Sequence, residues 1–134
     1  ELDVWPDFGC DSGLLLRSSK DGAAYQVLID HLDGGNVGGV YGERLEELDA
    51  PPGREWTQAW RAGEWNHLRA RIEGAVPHIS VWINGTMVTD WTDTANHAGG
   101  GAREGAIGLQ VHGGSRWPRG GRIRFRNITV RELG

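Results

Sequence analysis

The run Trp65-Asn-His-Leu-Arg-Ala-Arg-Ile72, His78-Ile-Ser-Val-Trp-Ile83, Asn84-Gly85 and Thr86-Met-Val-Thr-Asp-Trp91 decides the fold. Apolar residues recur there with a period of two, placing Leu68, Ala70 and Ile72 on one inward face. Glu73-Gly-Ala75 turns the chain from the first segment to the second. Asn84-Gly85 is the strongest hairpin signal in the chain, since both residues tolerate the positive φ of a type I′ turn. Three antiparallel strands follow from this stretch alone.

The same period extends in both directions. Glu1–Trp5 alternates and meets Pro6, and Gly13–Arg17 is a short apolar run that stops at the turn-rich Ser18–Gly22. Ala24–Asp30 puts Tyr25, Val27 and Ile29 on a core face and Gln26, Leu28 and Asp30 on the other. Asp33–Gly39 is a loop before the short strand Val40-Tyr41. Pro51-Pro-Gly53 breaks any helix between Arg44 and Arg61, which reads as a long surface loop. After a polar loop over 92–101, Gly105–His112 and Arg122–Val130 alternate again, with Ile107, Leu109 and Val111 expected to face the core. No helical period lasts more than two turns, and no linker or repeat divides residues 1–134. The reading is a single all-β sandwich of about eight to ten strands.

Composition narrows the function classes. With 38% hydrophobic and 24% charged residues, the chain is of ordinary globular type. No apolar run reaches the roughly 18–20 residues of a membrane-spanning helix. The 22 glycines show no collagen period and fit many tight turns. Seven tryptophans against two phenylalanines and two tyrosines suit either sugar stacking or a sandwich core. Trp65 and Trp82, on strands, are expected in the core; Trp56, Trp60 and Trp117, in loops, are the stacking candidates. A net charge of −4 argues against general nucleic-acid binding. The cluster Arg116, Arg119, Arg122, Arg124, Arg126 and Arg131 then reads as a solvated strand plus site arginines. A single cysteine, Cys10, allows no internal disulfide, and no zinc spacing is present. Asn84-Gly-Thr86 and Asn127-Ile-Thr129 match the glycosylation pattern, the first being taken up by the hairpin turn. The start at Glu1, with no Met and no signal-like segment, reads as a processed or trimmed piece.

Several segments together resemble the bacterial 3-keto-disaccharide hydrolase domain family. They are Asp11-Ser-Gly-Leu-Leu-Leu-Arg17, Tyr25-Gln26 with Ile29-Asp30, Gly39-Val40-Tyr41, Gly63-Glu-Trp65-Asn66 and Asn84-Gly85. Gly105 to Gly113, with Gln110-Val-His112 at its end, and Phe125-Arg-Asn-Ile128 continue the family's order. The resemblance implies a concanavalin-like (LamG-like) jelly-roll of two antiparallel sheets with a concave polar face. It also implies a carbohydrate partner and a periplasmic or extracellular location. Three positions facing that site depart from the family pattern: Asp11 stands for Asn, Gln26 for Glu and Leu28 for Gln. Family members carry further strands ahead of the stretch matching Glu1, so N-terminal strands are expected to be lacking here.

Strand alternation places candidate chemistry on one sheet surface: Arg17, Gln26, Asp30, Gln110, His112 and Arg126. Asp30 can act as a general base, or simply pair with an arginine. His112 has the side chain best matched to proton transfer near neutrality, or to metal ligation; a hydrogen-bonded strand histidine is the plain alternative. Arg17 and Arg126 can steady an oxyanion or grip sugar hydroxyls, or else form ion pairs within a sheet. Ser12, Gln26, Tyr41, Gln110 and Trp117 are the expected substrate contacts, and Tyr41 has packing as its alternative.

Three functions follow. The first is hydrolysis, or elimination and hydration, of 3-keto-glycosides, with Asp30 or His112 as base and Arg17 with Arg126 as enolate stabilisers. A divalent metal ion is the alternative stabiliser, with Asp30 and His112 supplying oxygen and nitrogen. The second is a non-catalytic carbohydrate-binding module. The third is a β-sandwich subunit that pairs with itself or another chain through an edge strand.

Overall fold

The computed structural model describes residues 1–133. The described residues form nine strands: β1 Leu2–Pro6, β2 Ser12–Ser18, β3 Ala24–Ile29, β4 Val37–Glu43, β5 Asn66–Glu73, β6 His78–Ile83, β7 Thr86–Thr92, β8 Ala106–Leu109 and β9 Ile123–Arg126. They form a five-stranded sheet in the order β7-β6-β5-β1-β9 and a four-stranded sheet in the order β4-β3-β2-β8. Every pairing is antiparallel. The two sheets make a jelly-roll type β-sandwich. Among the described residues, no helix is long and apolar enough to cross a membrane.

Alternation explains the packing. Leu2, Val4, Leu68, Ile79, Val81 and Ile83 from the larger sheet meet Leu14, Leu16, Tyr25, Val27, Ile29 and Val37 from the smaller one. Each fully buried aliphatic side chain contributes roughly 1.5–3 kcal/mol. At the β6–β7 turn, Asn84 has φ +47° and Gly85 φ +83°, as a type I′ hairpin requires. The Asn84 side chain also accepts from the His67 amide at 2.8 Å and donates to the Ala59 carbonyl at 2.9 Å, tying the hairpin to its neighbours.

One buried polar network crosses the core. The fully buried Tyr25 donates its hydroxyl to Asp93 Oδ2 at 2.6 Å and accepts from the His97 amide at 2.8 Å. His97 Nδ1 meets the same Asp93 oxygen at 2.7 Å. Burial alone would push the Asp93 carboxyl up, but the hydrogen bonds from Tyr25, His97 and the Thr94 amide hold it below its ordinary value. His97 is raised, chiefly by its bond to Asp93.

Four sequence expectations change. The Arg44–Arg61 loop contains one helical turn, α1 Trp56–Ala59, and both Trp56 and Trp60 pack against the core instead of standing free for stacking. Trp65 and Trp82 are not core residues: they lie half-buried under guanidinium groups, Arg126 at 4.0 Å from the Trp65 ring and Arg69 at 4.7 Å from Trp82. The indole faces thus pair with cations on the outside of the sheet. Ile107, Leu109 and Val111 are 44%, 38% and 75% exposed. Leu109 does sit in register with buried Leu14, but β8 ends its sheet, and among the described residues no strand covers it. Finally, β9 stops at Arg126 because Asn127 takes φ +53°, a conformation that ends a strand.

Candidate functional site

A cleft of about 500 Å³ opens on the outer face of the four-stranded sheet. That volume lies within the range of about 300–1,000 Å³ usual for small-molecule sites. Gln26 and Leu28 of β3, with Asp30 just beyond, form its floor, because they alternate with the core set Tyr25, Val27 and Ile29. Tyr41 and Glu43 of β4 wall one side, and Gln110, His112 and Arg116 wall the other.

Gly13 makes this floor possible. A Cβ there would lie 1.9 Å from Gln26 Nε2, so only glycine lets the Gln26 side chain lie across β2. Gln26 then donates to Gln110 Oε1 at 2.6 Å. The segment after β8 is fixed on the same strand, since the Gln110 amide donates to the Gly13 carbonyl at 2.9 Å. Ser12, in register with buried Ile29, donates its hydroxyl to the Gln110 carbonyl and so secures this junction.

Two ionisable pairs face the cleft. Asp11 Oδ2 lies 2.6 Å from His112 Nδ1. The Asp11 side chain is only 10% exposed, against 56% for His112. Asp30 Oδ1 accepts from the Leu32 amide at 3.2 Å and from Arg116 Nη2 at 3.3 Å. Gly35 lets the 31–36 loop fold back over this carboxylate, where a Cβ would come within 2.3 Å of the Asp30 carbonyl oxygen. The cleft therefore combines an accessible imidazole, a carboxylate–guanidinium pair, the primary amides of Gln26, Gln110 and Asn36, and a phenol. That is a donor set for proton transfer and for gripping a polyhydroxylated ligand.

Of the residues expected at a site, Ser12, Gln26, Asp30, Tyr41, Gln110 and His112 line this one cleft. Three do not. Arg17 falls in an irregularity of the β2–β8 register between Leu15 and Ser18 and takes φ +50°. That reversal sends its side chain across the end of the sandwich, where Nη2 donates to the Gly74 carbonyl at 2.9 Å and the residue is buried. Arg126 belongs to the other sheet, pairing with Asp3 at 3.2 Å. Trp117 is half-buried and donates its indole N–H to the Gly121 carbonyl at 3.1 Å, outside the lining.

Asp11, Glu43 and Arg116 also line the cleft and are not among the catalytic or substrate-contacting residues expected from the sequence. The family resemblance puts Asp11 among the positions facing the site. Arg116 is one of six arginines in the C-terminal cluster and nothing in the sequence singles it out: it lies in an irregular Gly/Arg loop and meets Asp30 only through the tertiary fold. As for a metal ion, the described residues hold no cluster of three or more His, Cys, Asp or Glu side chains placed to bind one. Asp11 is turned to His112 and Asp30 to Arg116, so this donor set does not fit a three-ligand centre.

No curated protein and no solved structure matches the chain. A family model described as the 3-keto-alpha-glucoside-1,2-lyase-like domain matches residues 1–131. The chain belongs to that carbohydrate-active family.

Proposed function

We propose that this member of the 3-keto-alpha-glucoside-1,2-lyase-like domain family cleaves 3-keto-glycosides in the cleft on its four-stranded sheet. The observation that carries the reading is the meeting of His112, Asp30 and Arg116 in one cleft with the amides of Gln26 and Gln110. A ketone at C3 acidifies the proton on C2. His112 removes that proton, its electron pair passes into the C2–C3 bond, and the C3 oxygen becomes an enolate. The enolate then re-forms the ketone as the C1–O bond breaks, leaving a C1–C2 double bond and releasing the aglycone. Addition of water across that double bond, hydroxyl to C1 and proton to C2, completes a net hydrolysis.

Assignment within the cleft follows from which groups are already engaged. Asp30 is hydrogen-bonded to both Arg116 and the Leu32 amide, which leaves His112 as the better base. Arg116 supplies the cation for the C3 oxygen, the role the sequence had suggested for Arg17 and Arg126; a preorganised donor of that kind contributes about 10²–10³ in rate. Tyr41 and Glu43, on β4, are the groups able to hand a proton to the leaving oxygen. The same reading carries a periplasmic or extracellular site of action with it.

A second reading, a carbohydrate-binding module, is favoured by one feature: the floor position Gln26 is an amide that cannot ionise, held by Gln110. Incubation of the chain with a 3-keto-glucoside and with the parent glucoside, followed by NMR, separates the two. Aglycone release from the keto compound alone is expected. Shifted ligand resonances without release would replace the lyase by the binding module. Loss of release in the presence of a chelator would transfer Arg116's role to a metal ion.

A further inference from the structure

We infer that Asp11 is a positioning residue, which fixes His112 in the Nδ1–H tautomer and leaves Nε2 as the proton acceptor toward the cleft. The inference deepens the proposed reaction, and the catalytic meaning of the pair rests on that reading.

The argument is one of donors and acceptors. An ionised carboxylate can only accept hydrogen bonds, so the 2.6 Å contact between Asp11 Oδ2 and His112 Nδ1 requires the proton to sit on Nδ1. A neutral imidazole carries one N–H, so Nε2 then holds the lone pair. The two side chains are placed for such a division of work. Both line the cleft, but Asp11 is nine-tenths buried, whereas His112 is more than half exposed.

Asp11 is also held where it cannot drift. The preceding Cys10 is fully buried, and its amide donates to the Asp7 carbonyl at 3.0 Å, closing a tight turn ahead of β2. A Cβ on Gly121 would sit 2.6 Å from Cys10 Sγ, so the 118–121 loop packs directly on this anchor. His112 follows Gln110, which is fastened to β2 through the Gly13 carbonyl. Both partners are therefore anchored to β2, Asp11 directly ahead of it and His112 through Gln110, and the pair forms without the ligand.

The test separates the pairing from the reaction. Two-bond ¹H–¹⁵N spectra at about pH 9, with His112 assigned by its loss in His112→Gln, report the tautomer of the neutral ring directly. The wild type is expected to show Nδ1–H with an unprotonated Nε2. Asp11→Ala and the isosteric Asp11→Asn, checked for folding by circular dichroism, are expected to move population to the Nε2–H form. A wild-type ring already in the Nε2–H form overturns the inference, as does an unchanged tautomer in both variants. On a 3-keto-glucoside, both variants are expected to lose on the order of 100-fold in kcat while KM moves less than about threefold, since a misdirected base slows chemistry and spares binding. Asp11→Asn keeps the size and packing of the side chain, so restoration of wild-type kcat by that variant would reduce Asp11 to a structural residue. A wild type that releases nothing sinks the proposed reaction, and the tautomer result still stands or falls by itself.

Discussion

Gly13→Ala should destabilise the protein, and the damage should vanish when Gln26 is truncated. Gly13 has ordinary extended backbone, so alanine fits the chain there and gains about 0.4–1 kcal/mol by restricting the unfolded state. Opposing that gain, the new Cβ would lie 1.9 Å from Gln26 Nε2 and 2.6 Å from both Cδ and Cγ. No small rotation of the terminal amide clears all three atoms, so the whole side chain must leave. It forfeits the 2.6 Å bond to Gln110, about 1 kcal/mol, and takes up strain of roughly 1–3 kcal/mol. The cleft above Gln26 is open, which lets the side chain swing outward and keeps the strain at the low end. The net is a loss of about 1–2 kcal/mol, or a fall in Tm of roughly 3–10 °C.

Urea denaturation followed by tryptophan fluorescence would measure it, run as a double-mutant cycle with Gln26→Ala. In the Gln26→Ala background, Gly13→Ala is expected to be neutral or stabilising. An equal cost in both backgrounds would show that the glycine answers to something other than the Gln26 side chain, and the account of the cleft floor would fail.

Two further outcomes are expected. Arg116→Met should lower the rate of release from a 3-keto-glucoside by about 10²–10³, whereas Arg126→Gln, on the opposite sheet, should stay within about twofold; the reverse ranking would return the stabiliser to β9. The Tyr25–Asp93–His97 network should make stability bell-shaped in pH, because Asp93 is lowered and its contribution disappears as pH falls through its folded value, while His97 is raised and its contribution disappears as pH rises through its own. Both contributions are complete between the ordinary values of 3.8 and 6.5, so Tm against pH should flatten outside that window in Asp93→Asn, and an unchanged profile would remove the network's role.

Much of this molecule is legible where local rules act alone. The β3 alternation separated core from cleft correctly because Ala24–Ile29 is flanked by strands on both sides, which forces each side chain to one face or the other. The Asn84-Gly85 turn was readable because it depends on the φ preferences of two residues only. Arg17 was misplaced by the same alternation, since one irregularity in the β2–β8 register reverses every inference beyond it. The tryptophans show a different limit. Size and apolarity suggested a core place for Trp65 and Trp82, but a flat ring beneath an arginine is also stable at a half-exposed position, and that pairing is set by neighbouring strands rather than by local sequence. Ile107 and Val111 carry the pattern of a covered strand and lie at an edge, because pattern reports a face and not whether another strand covers it.

The cleft has a further property that no single residue displays. Each of its three polar pairs joins β2, β3 or their immediate flanks to the segment that follows β8: Asp11 with His112, Gln26 with Gln110, and Asp30 with Arg116. These partners are separated by 101, 84 and 86 residues. Yet residues 110–116 lie outside any strand, held to the sheet by the Gln110 amide on the Gly13 carbonyl and the Ser12 hydroxyl on the Gln110 carbonyl. Base, amide pair and cation therefore share one support. Loosening that support disturbs all three, so the contributions of His112 and Arg116 to any reaction are coupled and will not add as independent energies. The strand-end position also explains the division of labour in the fold. Rigid β2 and β3 supply the fixed half of each pair, and the irregular segment beyond Leu109, free of ladder constraints, brings the imidazole and the guanidinium to one wall of the cleft, beside the end of the ladder where Ser12 pairs with Ile29.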